Sequence, residues 1–332
     1  MQKTILLFFF LIFFSCTDDT ATYKKIKGNA FGTTFDILYQ NTYNQDFTKQ
    51  IDSLIYVVNK SLSTYIPNSD ISKINNGDST IVVDEMFVEV FQKSNRIYKE
   101  SNGLYDPTVG VLVNAWGFGP EKPINEMDSV KVKELLEFVG FDKVKIINNK
   151  IEKLHSKIRF DFNSIAKGYG LDIIGRFFES KGCENYRIEL GGEVRAKGVD
   201  PTNKLWRVWL EDPNTDGTRS FNKSIQLDNQ SMASSGNYRK FKIDKNGRKY
   251  VHTINAKTGF ATESNLLAAT VISSLDCADV DAYATAFMAM GFEKTKVFLE
   301  NHQELQVYLI YVDNDGETKI YQSEDLIVKH KL

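Results

Sequence analysis

From Asp46 onward, Phe47, Ile51, Leu54, Ile55, Val58 and Leu62 recur at the three-and-four spacing of a helix with one apolar face, and Pro67 closes the segment. The same period predicts a helix over 85–101, stopped by Asn102-Gly103, and a short one near 129–139. A further helix is expected from 164 to about 181, with Ile165, Tyr169, Ile173, Ile174, Phe177 and Phe178 as its buried stripe. Asp276 is expected to cap another that reaches Met290 and stops at Gly291, followed by a last helix near 293–301. Between these, strands are predicted as a pair around Gly32 within 26–39, then at 143–147, 157–162, 186–190, 193–198, 205–211, 224–227, 250–254 and 266–274. A hairpin turns at Asp313-Asn-Asp-Gly316. Residues 104–124, punctuated by Gly and Pro, read as a shaped loop with one helical turn, and no repeat or linker breaks the chain. The mixture predicts an α+β fold: a single large two-lobed domain with mixed or antiparallel sheets, flanking helices and a cleft between the lobes.

The start of the chain has a different character. Lys3 is followed by ten apolar residues, 5–14, then Ser15 and Cys16, which is the shape of a secretory leader. Ten helical residues rise about 15 Å, roughly half of a bilayer core, so this is not a spanning helix. Cys16 stands where a bacterial lipoprotein signal places its lipidated cysteine; a plain cleaved signal is the alternative. The expected division is a signal peptide over 1–15, a lipidated Cys16 with a polar tether over 16–24, and the folded domain over 25–332. That places the protein in the bacterial cell envelope, outside the cytoplasm and anchored to a membrane. Lys and Arg total 41 against 43 Asp and Glu, a net charge of -2, which argues against nucleic acid as the main partner. Cys183 and Cys277 could pair in an exported protein or stay as buried thiols; neither has the neighbours of a zinc site.

Several segments could carry chemistry. Asp281 and Thr285 are four apart on a predicted helix and offer hard oxygen donors of the kind Mg²⁺ or Ca²⁺ takes, although such a pair is also common on solvated helices. In Asp161-Phe-Asn-Ser-Ile-Ala-Lys-Gly-Tyr169 a strand turns into a helix whose first N–H groups suit an anion, with Lys167 adding charge. The Gly191-Gly192 corner, flanked by Glu189, Glu193 and Arg195, is either a tight turn or a place where a ligand approaches the backbone. Of four histidines, only His252 sits in a motif, His252-Thr-Ile-Asn-Ala-Lys-Thr-Gly259, and it could accept a hydroxyl proton. Ser164-Ile-Ala-Lys167, Ser235-Gly-Asn237 and Lys257-Thr-Gly259 also match the ordered set of serine penicillin-binding proteins. Only 19 residues separate the second and third of these, too few for that fold.

Taken together, the segments resemble the FAD:protein FMN transferase family, also called the ApbE family, from about Phe31 to Leu309. The blocks are Phe31-Gly-Thr-Thr34, Leu62-Ser-Thr-Tyr65, Ser69-Asp-Ile-Ser-Lys-Ile-Asn75, Gly103-Leu-Tyr-Asp-Pro-Thr-Val-Gly110 and Leu112-Val-Asn-Ala-Trp-Gly-Phe-Gly-Pro120. They continue as Ile165-Ala-Lys-Gly-Tyr169, Glu189-Leu-Gly-Gly-Glu193, Ser234-Ser-Gly-Asn-Tyr-Arg239, His252-Thr-Ile254 with Thr258-Gly259, and Asp281-Ala-Tyr-Ala-Thr285, and they absorb all three penicillin-binding fragments. The resemblance implies Mg²⁺-dependent transfer of FMN from FAD, the substrate, to a Ser or Thr hydroxyl of another protein, with release of AMP. By motif, Phe31, Tyr65, Leu104, Tyr105, Asp106, Asp161, Lys167 and Ile254 would bind FAD in the cleft. Ser164, Asp281, Ala284 and Thr285 would hold Mg²⁺, Ser164 through its carbonyl, and His252 would be the catalytic base. Implied acceptors are redox proteins of the envelope, such as subunits of sodium-pumping quinone reductases or RNF-type complexes. Asn255-Ala256, Asn237 and Phe31 depart from the family's commoner Asp-Pro, Asp and Met. Two other activities remain open on the same residues: hydrolysis of FAD to FMN and AMP, or non-catalytic FAD binding.

Overall fold

The structure, a computed structural model, describes residues 22–41, 44–212, 220–237, 241–243, 249–251, 253–261 and 264–331. The leader and Cys16 therefore lie outside the described residues. The chain begins with β1 (Tyr23–Ala30) and β2 (Thr33–Gln40), followed by helices α1 (Thr48–Leu62), α2 (Asp70–Asn75), α3 (Glu85–Glu100), α4 (Gly110–Ala115) and α5 (Ser129–Leu136). Next come β3 (Val144–Ile147), β4 (Lys150–Lys153), α6 (Ala166–Ser180), β5 (Tyr186–Leu190), β6 (Glu193–Lys197), β7 (Trp206–Leu210), β8 (Lys223–Leu227) and β9 (Ser231–Gly236). The remainder is β10 (Phe241–Ile243), β11 (Lys249–Val251), β12 (Leu266–Ser273), α7 (Cys277–Met290), α8 (Phe292–Leu299), β13 (Gln306–Val312), β14 (Thr318–Gln322) and β15 (Lys329–His330).

Eight strands form one sheet in the order β1-β2-β5-β6-β9-β12-β13-β14, and every pairing in it is antiparallel. Alternation decides which side chains each face receives. On β12, Ala269 and Val271 join the core formed with α1, α3, α6 and α7, whereas Ala268 and Ile272 face the small sheet β15-β8-β7. Because both faces of β12 are covered, its sequence is a nearly unbroken apolar run instead of an alternating one. A third cluster, with Leu112, Trp116, Val132 and Val139, packs the loop region around α4 and α5 onto Ile254, Ala256 and Ala261. The α+β expectation holds.

α7 differs from the other helices in being buried on almost every side. A helix apolar all round belongs at the centre of a domain, and any charge it carries there needs a partner. Asp279 meets Lys93 at 2.9 Å and Arg96 at 2.6 Å. Asp276 does occupy the residue before the helix, but its carboxylate does not cap it; it turns to Lys93, Arg176 and Arg195. The cap comes from Asp172 on α6, which accepts from the N–H groups of Cys277 and Ala278, each at 2.8 Å, and pairs with Arg195. The expectation placed the cap on the wrong aspartate, because the better acceptor is distant in sequence and already buried beside the helix start.

The segment 157–162, expected as a strand, joins none of the sheets and makes one isolated parallel bridge, Arg159 with Val109. Its ladder is replaced by a side chain: Asn75 donates to the Phe160 carbonyl at 2.8 Å and accepts from the Phe160 N–H at 2.7 Å, while the Asp161 N–H finds the Pro107 carbonyl. Conversely, β9 was not expected, because Ser-Met-Ala-Ser-Ser-Gly has little of the usual strand composition. Its small side chains let α7 lie close on the sheet. Cys183 and Cys277 are both buried and free.

Candidate active site

The site is built where α6 meets α7. At Gly168 a Cβ would lie 2.3 Å from the Cys277 carbonyl oxygen, so glycine is what permits the two helices to approach this closely. The approach brings the Gly168 N–H to Asp281, whose Oδ2 accepts from it at 3.0 Å. The helix start expected to receive an external anion is thus occupied by the protein's own carboxylate. Asp281 Oδ1 takes no hydrogen bond from the described residues. Burial pushes the Asp281 carboxyl up to about 7, with Lys167 pulling it down and Glu193 adding to the rise.

Lys167, one residue earlier, forms an ion pair with Glu193 at the start of β6. Burial alone would lower the Lys167 ammonium, but the Glu193 and Asp281 carboxylates outweigh it and raise the group, keeping it charged at neutral pH. Glu193 gets there through the two-residue turn at Gly191 and Gly192, both at positive φ, that pairs Leu190 with Glu193. Its side chain is 1% exposed, and its Oε2 has no hydrogen-bond partner. Ahead of α6, Ser164 Oγ lies 3.3 Å from the Tyr105 phenol, which burial and the nearby Asp281 hold protonated. One turn beyond Asp281, Thr285 Oγ1 is 3.2 Å from Ser235 Oγ on β9.

Other expected residues frame this centre. Phe31 holds φ 50° in the turn between β1 and β2, a conformation uncommon for a bulky residue, and its ring lies against Gly170 of α6. Tyr65 is 58% exposed, donates to the Phe118 carbonyl at 3.3 Å and lies within electrostatic reach of Asp161. Asp161 is buried, which raises its carboxyl, and it accepts from the Asn163 N–H at 2.8 Å. Asp106 faces inward: Oδ1 accepts from the Thr108 N–H and hydroxyl, and Oδ2 from the Phe141 N–H. Leu104 packs half-buried on the main core, and Ile254 belongs to the third cluster, bridged to Ala261. Ala284 is buried on α7 beside Thr285. His252 lies outside the described residues, but the next residue, Thr253, donates to Asn237 Oδ1 at 3.2 Å. Asn255 makes its own turn by accepting from the Lys257 and Thr258 N–H groups, which serves where the family commonly has Asp-Pro.

The oxygens that the resemblance implies as metal donors, on Asp281, Thr285 and the carbonyls of Ser164 and Ala284, are hard and include a single carboxylate. That composition suits a cation which keeps waters or phosphate oxygens in its shell. Among the described residues there is no cluster of three or more His, Cys, Asp and Glu that would hold a metal by itself. A groove of about 490 Å³ beside α5, lined by Asn75, Lys131, Glu134 and Arg159, contains none of the expected site residues.

The ApbE family model matches residues 31–309, a span from the β1–β2 turn to β13 that holds every described site residue. The chain belongs to the ApbE family. It is 33% identical over 315 residues to the FAD:protein FMN transferase of Haemophilus influenzae, covering 91% of this chain and 90% of that one. Against the FAD:protein FMN transferase of Vibrio cholerae it is 31% identical over 316 residues, covering 92% of each. The solved flavin transferase ApbE from Vibrio cholerae superposes with a TM-score of 0.82 at 31% identity, over 92% of this chain and 98% of that one. The apo flavinyl transferase ApbE of Pseudomonas stutzeri, at 24% identity and a TM-score of 0.81, shares the fold. Within this ApbE-family site, Glu193, Gly168 and Asp172 are the residues that sequence reading did not assign. Their signals were a glutamate after a Gly-Gly corner, a glycine inside a helix, and an aspartate on an otherwise apolar stripe.

Proposed function

We propose that the chain transfers the FMN portion of FAD to a Ser or Thr hydroxyl of an acceptor protein and releases AMP. The observation that carries this reading is the meeting of Asp281 on α7, one turn before Thr285, with the α6 start at Gly168, in a chain that parallels FAD:protein FMN transferases over nine-tenths of its length. Ser164 and Ala284 through their carbonyls, with Asp281 and Thr285, are the residues that would hold Mg²⁺; an Asp281 Oδ1 that takes no hydrogen bond from the described residues and the all-oxygen donor set fit it. Bound there, Mg²⁺ supplies Lewis-acid stabilisation of charge developing on the diphosphate.

The remaining work falls to side chains. FAD would lie against Phe31, Tyr65, Leu104, Tyr105, Asp106, Asp161, Lys167 and Ile254. Tyr65 offers an exposed ring for stacking, and Lys167 a fixed positive charge for the phosphates. Asp106 has both oxygens committed inward, to Thr108 and to the Phe141 N–H, so it would serve FAD by fixing the loop around 104–110. His252 takes the proton of the acceptor hydroxyl as that oxygen bonds to the FMN phosphorus and the bond from this phosphorus to the AMP oxygen breaks. General-base help of this kind is worth on the order of 10² to 10⁴ in rate. Full AMP release by Asp281→Ala would sink the metal assignment, and unchanged turnover in His252→Ala would sink the base.

The leader supports a placement as well: anchorage through Cys16 outside the cytoplasm, with envelope redox proteins such as quinone-reductase or RNF-type subunits as acceptors. Cys16→Ser should move the protein from the membrane to the soluble fraction; retention in the membrane would contradict the anchor.

A further inference from the structure

Three ionisable side chains meet at the α6–α7 junction: the Lys167 amine and the carboxyl groups of Glu193 and Asp281. Lys167 is near enough to both carboxylates to be held charged by them, yet its contact is with Glu193 Oε1. Asp281 has one oxygen on the Gly168 N–H, and the other takes no hydrogen bond from the described residues. A lysine beside a metal-binding carboxylate is a competitor, because an ammonium and a divalent cation seek the same oxygen. Glu193 is where the Lys167 ammonium goes instead. Its position is costly to maintain, since a buried carboxylate oxygen without a partner is unfavourable and Oε2 has none.

We propose that Glu193 is a positioning residue: it holds Lys167 away from Asp281 and so keeps the Asp281 carboxylate open to a divalent cation. This rests on the metal site inferred above, and it adds a role for a side chain outside that donor set. Glu193 acts through Lys167. The Gly191-Gly192 turn is the device that delivers it: the two-residue hairpin pairs Glu193 with Leu190 and sets the start of β6 against α6.

The test is Mn²⁺ binding to the full chain, followed by electron paramagnetic resonance and read without FAD or acceptor. Glu193→Gln should weaken Mn²⁺ at least tenfold, because Lys167 then turns to Asp281. Glu193→Gln combined with Lys167→Met should restore affinity to within about threefold of wild type, a rescue that a merely structural glutamate would not show. Lys167→Met alone should bind Mn²⁺ at least as tightly as wild type, and it tests the same idea if Glu193→Gln does not fold. Wild-type affinity in Glu193→Gln, no recovery in the double variant, or weaker binding in Lys167→Met would each overturn the role of Glu193. Asp281→Asn separates the two levels: if it binds Mn²⁺ as wild type does, the metal site itself is wrong and the inference falls with it.

Discussion

Replacing Gly168 by alanine tests the α6–α7 junction against the ordinary expectation for a helix. On propensity alone, Gly→Ala inside a helix should stabilise by about 1 kcal/mol. Here the new Cβ would fall 2.3 Å from the Cys277 carbonyl oxygen, 2.6 Å from its carbon and 2.8 Å from the Ala278 nitrogen. All three are main-chain atoms of a helix start pinned by Asp172, so no side chain can swing away. The helices would have to part by about 1 Å, and overpacking of this kind costs roughly 1–3 kcal/mol. The same movement stretches the hydrogen bond from Gly168 to Asp281, and bonds to charged groups contribute about 1.5–3 kcal/mol. After the propensity gain, a net loss of roughly 1.5–5 kcal/mol is expected. Denaturant unfolding of the full chain measures it, and FMN transfer should fall as well because Asp281 is displaced. A Gly168→Ala variant as stable as wild type, with full activity, would refute the argument.

Gly170→Ala, two residues along the same helix, should behave differently: its Cβ meets the far end of the Phe31 ring at 2.6 Å, which can move, so stability should change by less than about 1 kcal/mol while FAD affinity falls. Equilibrium binding of FAD checks this, and unchanged affinity would remove Phe31 from the cofactor site. Asp172→Ala should cost about 3 kcal/mol in a thermal or denaturant melt, since it uncaps α7 and strips Arg195 of its most buried partner; a loss below 1 kcal/mol would contradict that. Burial pushes the Asp106 carboxyl up to about 6 against the pull of Thr108 and Phe141. Because this native value lies above the unfolded one, the group's stabilisation is complete below about pH 4 and is lost as pH rises through 6, roughly 3 kcal/mol in all. Asp106→Asn should erase that part of the stability–pH curve, and an unaltered slope between pH 4 and 6 would count against it.

Helical periodicity carried far in this chain. The stripes of α1, α3 and α6 were readable because each helix buries one face and wets the other. Strand alternation located β2, β5 and β6 for the same reason. It misled at 157–162, where the pattern was right but the hydrogen bonds go to the Asn75 amide, about 85 residues away, and to the main chain at Pro107 and Gly110. It missed β9, whose serines and glycine suit the space beneath α7 more than they suit a strand in isolation. At the site, Asp281 and Thr285 were legible as neighbours on one helix face, and the family resemblance joined them to Ser164 and Lys167. The pairing of Lys167 with Glu193 was not legible, because it depends on the register of a hairpin and on which turn of α6 lies over it. Local patterns report what an element buries; they do not report which distant side chain it meets.

The central claim is group transfer from FAD to a protein hydroxyl at the α6–α7 junction. Its most direct measurement is the intact mass of a candidate acceptor after incubation with the full chain, FAD and Mg²⁺, with AMP quantified in the same reaction. The account predicts an FMN adduct on the acceptor with matching AMP, both abolished by a chelator and by Asp281→Ala. FAD left intact would contradict it, as would AMP formed with free FMN and no adduct on any acceptor tested.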